Sequence, residues 1–369
     1  MRVLLLLVSW VFSILVGLMT LSMFLTRNWL QGIVLLAATL ALLPPVRKLV
    51  HHLSGRQISG WIWAGAAIVL LAAFMLLSGL NTADSVYTLP EAQAKHEEIY
   101  SAKLAAWPVP YEEIYVDTSY GKMHVIVSWP EDAPPALLLN ASGMSAWSWL
   151  YNVGELNKHY RTYAVDTLGE AGKSVLTDLN HIPASGKDHA DMHVEITDAL
   201  GIPDAYVVGA SYGGYLATNY ALYYPERVKK LALLGPMGMT PATGKTVARI
   251  MLVQFFPIKP FQQSTVRWAL GDDPKVLAES EEWFRYVMTG MFPKVSQPVT
   301  FTPEQLQQVQ TPVLLVLGAK DALTSDPEAV KELASNVPDI QVVVLDTGHL
   351  IGVEQPERVN ELIIGFFEE

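Results

Sequence analysis

Six short, nearly unbroken apolar runs constrain the fold of this chain more than any other feature: ALLLN (136–140), TYAVD (162–166), YVVGA (206–210), LALLG (231–235), VLLVLG (313–318) and VVVLD (342–346). Successive strand side chains point to opposite faces, so a run that is apolar at every position fits a strand buried on both. That is the situation of a parallel sheet covered by helices. Pieces at about 187–200 and 212–224 stop at Gly201 and before Pro225, and pieces at about 326–336 and 355–368 start near Pro327 and Pro356, as helices do. Two earlier runs, EIYVDT (113–118) and KMHVIVS (122–128), flank Ser119-Tyr120-Gly121 and read as an antiparallel hairpin. The expectation is an α/β fold with an eight-stranded, mostly parallel sheet. From Pro236 to about Gln310 a Met- and aromatic-rich tract without a clear strand reads as a helical cap, about 236–310, inserted after the sixth strand.

Ahead of this body, residues 1–83 contain no Asp or Glu, and only Arg2, Arg27, Arg47, Lys48 and Arg56 are basic, which leaves residues 84–369 with a formal charge of −16. Uncharged stretches at roughly 3–25, 28–46 and 57–83 are each long enough, as helices, to cross a hydrocarbon core of about 30 Å. Residues 1–83 are therefore expected to form a membrane anchor of three transmembrane helices. The first stretch is longer than a signal-peptide core and no Ala-x-Ala site follows it. Pro44 and Pro45 fall near the end of the second stretch, where a lost helix hydrogen bond is tolerable. The basic segment 47–56 belongs in the cytoplasm by the positive-inside rule, so the third span leads outward and the body lies outside the cytoplasm. Residues 84–112 read as a linker whose helical piece, 90–107, is a solvated spacer that keeps the body, 113–369, near the membrane surface. The acidic body lacks the Lys and Arg clusters that hold phosphate backbones, which argues against a nucleic-acid partner. With no Cys in the chain, disulfides and thiolate metal sites are excluded.

Gly209-Ala210-Ser211-Tyr212-Gly213 follows an apolar run and opens a helix. A serine on a sharp strand-to-helix turn projects its hydroxyl outward, and small residues two before and two after it let the two backbones approach. The helix N-terminus beneath offers unpaired N–H groups to a developing oxyanion. A serine hydroxyl is a weak nucleophile without a base, and the base needs a carboxylate behind it. His349 lies on a loop after the last run, in DTGH, and Asp321 lies just past the 313–318 run, where α/β sheets carry their functional loops. Asp346 is a second carboxylate near His349, and Asp326, just before Pro327, is better explained as a helix cap.

The segments GASYGG, YYPERVKKLALLGP, PVLLVLGAKDAL and DTGHLIGVEQPERV together resemble the α/β-hydrolase superfamily over about residues 113–369. The resemblance implies a triad of Ser211, Asp321 and His349, and an oxyanion hole built from the backbone N–H of Tyr212 and one from the loop after the third strand, by position Ser142. That loop departs from the family pattern, with Asn140-Ala141 where His-Gly is usual. Asp166, in VDTLGEAGKS, resembles the family's structural Asp-x-x-Gly turn, and no nucleotide site is assigned to the glycines that follow it. His189 and His193, four apart on a predicted helix, lack a third metal ligand and read as a solvated face. No cofactor or metal is expected. Cap residues Phe255, Phe256, Trp268, Trp283, Tyr286 and Met288 either line an apolar substrate pocket or pack within the cap. The expected function is a membrane-anchored serine hydrolase, carboxylesterase- or lipase-like, cleaving a small-molecule ester or related acyl bond through an acyl-enzyme, with lipophilic substrates among the candidates. The alternative is a catalytically degenerate hydrolase-fold module that binds or senses a ligand and is coupled to the membrane segment.

Overall fold

A computed structural model describes residues 29–55, 58–80, 86–87, 90–178, 181–240, 259–271, 274–291, 293–324 and 326–369, with isolated positions in 10–21 and 246–253. The chain falls into two compact units, residues 1–83 with 251–261 and residues 84–250 with 262–369.

In the first unit helices run over Trp29–Leu42 (α1), Pro44–Ser54 (α2) and Gly60–Leu80 (α3). The expected continuous span over 28–46 does not form. Leu43 is extended, and the helices on either side of it are bent by 77°. A residue before proline is driven out of the helical region, and each proline removes a donor, so the pair at 44–45 starts a new helix rather than ending the old one. The basic residues Arg47 and Lys48 consequently lie on α2 and not in a loop. Among the described residues no single helix is long and apolar enough to cross a membrane, although the bent pair qualifies together by length and composition. Gly60–Ala73 is a shorter apolar segment, and most of the stretch 3–25 lies outside the described residues. Val16, Leu35 and Ala38 form a small core, beside which the Thr20 and Thr39 hydroxyls are 3.2 Å apart.

The second unit is built on a mixed sheet. Among the described residues its strands are β1 Tyr111–Asp117, β2 Gly121–Ser128, β3 Pro135–Leu139, β4 Arg161–Val165, β5 Val175–Leu176, β6 Ala205–Ala210, β7 Val228–Leu234, β8 Val313–Gly318 and β9 Ile340–Leu345. Their order is β1-β2-β4-β3-β6-β7-β8-β9, with β5 beside β2. The contacts of β2 with β1, β4 and β5 are antiparallel, and from β4 through β9 every pairing is parallel. The two-residue β5 has no apolar periodicity to announce it.

Alternation along the strands makes two cores. Leu137, Leu139, Val207, Leu233 and Leu315 face Met192 and Ile196 of helix α5 (Gly186–Ala199) and Leu216 and Tyr220 of helix α6 (Tyr212–Tyr223). Leu138, Val208, Leu234, Leu314 and Val316 face the other side, with Val359, Ile363 and Phe366 of the C-terminal helix Pro356–Glu368. The run 342–346 departs from the two-face reading: β9 is an edge strand whose Val342 and Val344 are exposed.

The helix Pro90–Ala105 (α4) forms, but it is not a solvated spacer. Tyr100 and Leu104, with Trp107 just beyond the helix, are buried in the second core. The Tyr100 hydroxyl donates to Asp166 Oδ2 (2.9 Å), and Trp107 Nε1 donates to Ser128 Oγ (3.0 Å). The polar composition that suggested solvation describes only the outer face. A chain beginning at residue 113 is expected to lose about 1.5–3 kcal/mol for each of these side chains. Its circular-dichroism melt should fall more than about 10 °C below that of a chain beginning at Asp84; equal midpoints would mean the helix is only a spacer.

Candidate active site

β6 delivers Gly209 and Ala210 to a turn at which Ser211 adopts φ 50°, ψ −112°, the one positive φ outside glycine among the described residues. Such a backbone costs on the order of 1–3 kcal/mol and persists only when its surroundings impose it. Here they do. A Cβ at Gly209 would lie 2.5 Å from the Gly213 carbonyl oxygen, and one at Gly213 would lie 2.1 Å from that of Leu139. Glycine at both positions lets strand, turn and the start of α6 interlock with the end of β3. Ser211 N–H donates to the Leu234 carbonyl (2.9 Å), and its own carbonyl accepts from Met237 N–H (2.9 Å).

The structure brings together the three side chains that the resemblance assigns. Ser211 Oγ is 2.9 Å from His349 Nε2, and His349 Nδ1 is 2.7 Å from Asp321 Oδ2, with all three residues buried. A proton on Nδ1 directed at the carboxylate leaves Nε2 as an acceptor for the serine hydroxyl. Burial alone would raise the Asp321 carboxyl, but His349, the Thr324 hydroxyl (2.5 Å) and backbone N–H groups outweigh it and hold the carboxyl down to about 2. Burial alone would lower the His349 imidazole, and the adjacent Asp321 carboxylate reverses this to raise it above its ordinary value. Asp346 pairs instead with Lys320 at the surface, and Asp326 caps the helix Pro327–Ala334 by accepting from Glu328 N–H (3.0 Å) and Ala329 N–H (3.3 Å).

Tyr212 N–H, at the first position of α6, and Ser142 N–H, on the loop after β3, meet no acceptor among the described residues. The loop leaving β3 abuts the elbow, since the Leu139 and Asn140 carbonyl oxygens both crowd Gly213. A small pocket of about 40 Å³, open at its mouth, reaches Ser211 and His349. Its walls are Ala141 and Met144, then Ser148, Trp149 and Asn152 after β3, and Leu350 to Val353 after His349.

The described cap aromatics do not line this pocket. Trp283 is buried and donates to the Gly143 carbonyl (2.6 Å), Trp268 stacks under Arg249, and Tyr286 lines a smaller separate cavity with His96. Phe255, Phe256 and the side chain of Met288 lie outside the described residues. His189 and His193 are buried rather than solvated. His189 Nε2 lies 2.7 Å from Ser296 Oγ, His193 Nδ1 donates to the His189 carbonyl (2.7 Å), and burial pulls both imidazoles down to about 4. Among the described residues no cluster of potential metal ligands forms. Asp166 is structural, accepting from Tyr100, His124, Ala146 N–H and Lys173 N–H. Sequence reasoning missed Glu170, a buried carboxylate that binds both Ser142 and Gly143; its only signal was a charged residue inside an otherwise small-residue turn.

A sequence profile of the "Alpha/beta hydrolase family" matches residues 136–362. The "Uncharacterized carboxylesterase nap" of Bacillus subtilis (strain 168) is 31% identical over 309 residues, covering 78% of this chain and 97% of that protein. Carboxylesterase YbfK of the same organism is 30% identical over 288 residues, covering 75% and 94%. The crystal structure of naproxen esterase (carboxylesterase NP) from Bacillus subtilis superposes with a TM-score of 0.69 at 30% identity, covering 76% of this chain and 99% of that one.

The geometry predicts how His349 titrates. In protein labelled with 13C-histidine, its resonance is expected to shift with a midpoint above the ordinary value of about 6.5. In Asp321→Asn the midpoint should fall below that value, because burial then acts without the opposing carboxylate. An unmoved midpoint would mean that Asp321 does not govern the imidazole.

Proposed function

The chain belongs to the alpha/beta hydrolase family, and from that membership we propose that it is a serine carboxylesterase acting through an acyl-enzyme. The observation that carries the reading is the hydrogen-bonded line from Ser211 through His349 to Asp321, of which Ser211 and His349 line an open pocket. His349 Nε2 takes the hydroxyl proton as Ser211 Oγ attacks the ester carbonyl, and the backbone N–H groups of Tyr212 and Ser142 receive the oxyanion. Collapse of the tetrahedral intermediate breaks the carbon–oxygen bond to the alcohol, which leaves with the proton from His349. Water, deprotonated by the same imidazole, then releases the acid and restores Ser211. Asp321 holds the ring in the required tautomer and stabilises the imidazolium. No cofactor enters these steps.

The substrate class is a small-molecule ester with an apolar acyl group, because Met144, Trp149, Leu350, Ile351 and Val353 dominate the pocket wall. Residues 1–83 are proposed as the membrane anchor, on their freedom from acidic residues and their apolar stretches, with the body outside the cytoplasm because Arg47, Lys48 and Arg56 favour the cytoplasmic side. Protease added to intact cells should then digest the body; digestion only after lysis would reverse the topology.

Ester turnover tests the central reading. Along p-nitrophenyl acetate, butyrate, hexanoate and octanoate, kcat/KM is expected to rise by at most about fourfold per buried methylene, the equivalent of about 0.8 kcal/mol, until the pocket is full. Ser211→Ala should abolish both turnover and fluorophosphonate labelling. A steady fall from acetate onward would remove the apolar-acyl assignment, and undiminished labelling of the variant would remove Ser211.

A further inference from the structure

The loop after β3 has Asn140-Ala141 where the family usually has His-Gly, yet polar contacts hold it throughout. Asn140 Nδ2 donates to the carbonyls of Ala141 (3.0 Å) and Met144 (2.8 Å), so the side chain spans the turn from within. From the cap, Trp283 Nε1 donates to the Gly143 carbonyl (2.6 Å). From the turn after β4, the buried carboxylate of Glu170 takes two further groups: the Ser142 hydroxyl donates to Oε1 and Gly143 N–H donates to Oε2 (2.9 Å).

An isolated buried carboxylate is costly, and its cost is offset in part here by donors from two successive residues of one loop. Because Gly143 N–H is engaged by Glu170, it is not free to receive an oxyanion. Ser142 N–H is the neighbouring donor without an acceptor among the described residues. Gly143 has φ 72°, a left-handed turn that glycine adopts without strain and that lets two consecutive residues present hydroxyl and N–H to one carboxylate.

We infer that Glu170 is a positioning residue, whose carboxylate grips the Ser142 hydroxyl and Gly143 N–H and thereby fixes Ser142 N–H as the second oxyanion donor. The inference rests on the serine-hydrolase reading above. Glu170 touches no reacting atom. It supplies from a neighbouring turn the constraint on the loop, and Trp283 supplies a second from the cap.

The test uses the full chain with Glu170→Ala, Glu170→Gln and Ser142→Ala. It measures p-nitrophenyl butyrate turnover and inhibition by an aryl trifluoromethyl ketone, whose adduct with a serine carries the oxyanion. Misplacing one oxyanion donor is expected to lower kcat of Glu170→Ala by on the order of 10- to 100-fold with KM within about threefold. Ketone inhibition should weaken by the same factor as kcat/KM. Glu170→Gln should recover most of kcat, since its amide carbonyl accepts from Gly143 N–H while its NH₂ donates to Ser142 Oγ.

Ser142→Ala removes one gripped group and keeps the carboxylate and the backbone donor, so it reads the same clamp even if Glu170→Ala fails to fold. It should lower kcat several-fold at unchanged KM. Wild-type kcat in Ser142→Ala or in folded Glu170→Ala overturns the assignment, as does an equal loss in Glu170→Ala and Glu170→Gln with ketone inhibition unmoved. Ser211-dependent turnover by the parent chain is measured first. Its absence sinks the serine-hydrolase reading and this inference with it, whereas its presence beside unmoved variants sinks only Glu170.

Discussion

The close contact of three backbones at the elbow is the constraint on which the rest of the site depends. β6, α6 and the end of β3 meet where side chains at 209 and 213 would collide with carbonyl oxygens, and the strained conformation of Ser211 is what this contact leaves available. The same contact sets the loop after β3 beside Ser211, so Ser211 and that loop are located by one packing event. The parallel order of β3, β6, β7, β8 and β9 then carries Asp321 and His349 to the same sheet end, because loops that follow parallel strands all emerge at their carboxyl edge.

Around this frame three buried carboxylates have different surroundings. Asp321 faces one imidazole and several donors, which together overcome burial and keep it ionised. Asp166 is fully buried too, and there hydrogen bonds from His124, Ala146 N–H and Lys173 N–H outweigh desolvation and hold its carboxyl below the ordinary value. Glu170 has fewer compensating partners, and burial raises its carboxyl despite the donors from Ser142 and Gly143. The number and charge of donors, more than depth, separate the three. Asp166 also ties the helix Pro90–Ala105, through Tyr100, to Ala146, where the pocket-lining turn begins.

Much of this was legible in the sequence, for identifiable reasons. Buried strands require apolar runs, a tight strand-to-helix turn requires its glycines, and the chain order of Ser211, Asp321 and His349 follows the strands that carry them. What escaped notice has no periodic signature. The pocket wall at Ser148 to Asn152 and Leu350 to Val353 lies in irregular turns, and Glu170 acts across 27 and 28 residues of chain. Burial of His189, His193 and Tyr100 could not be read from composition, since each has a polar tip that finds its partner inside the protein. The break at Leu43 was signalled by two prolines, but the same pair suits a helix end or a helix start, and only the backbone at Leu43 distinguishes them.

The account's central claim is that Ser211 becomes covalently acylated, and trapping that species tests it most directly. The protein would be mixed with excess p-nitrophenyl butyrate, quenched in acid within milliseconds and analysed by intact-mass and peptide mass spectrometry, with nitrophenol release followed in parallel. The account predicts one butyryl group per chain on the peptide containing Ser211, together with a nitrophenol burst approaching one equivalent when deacylation is the slower step. Turnover of the ester with the label on another residue would contradict it.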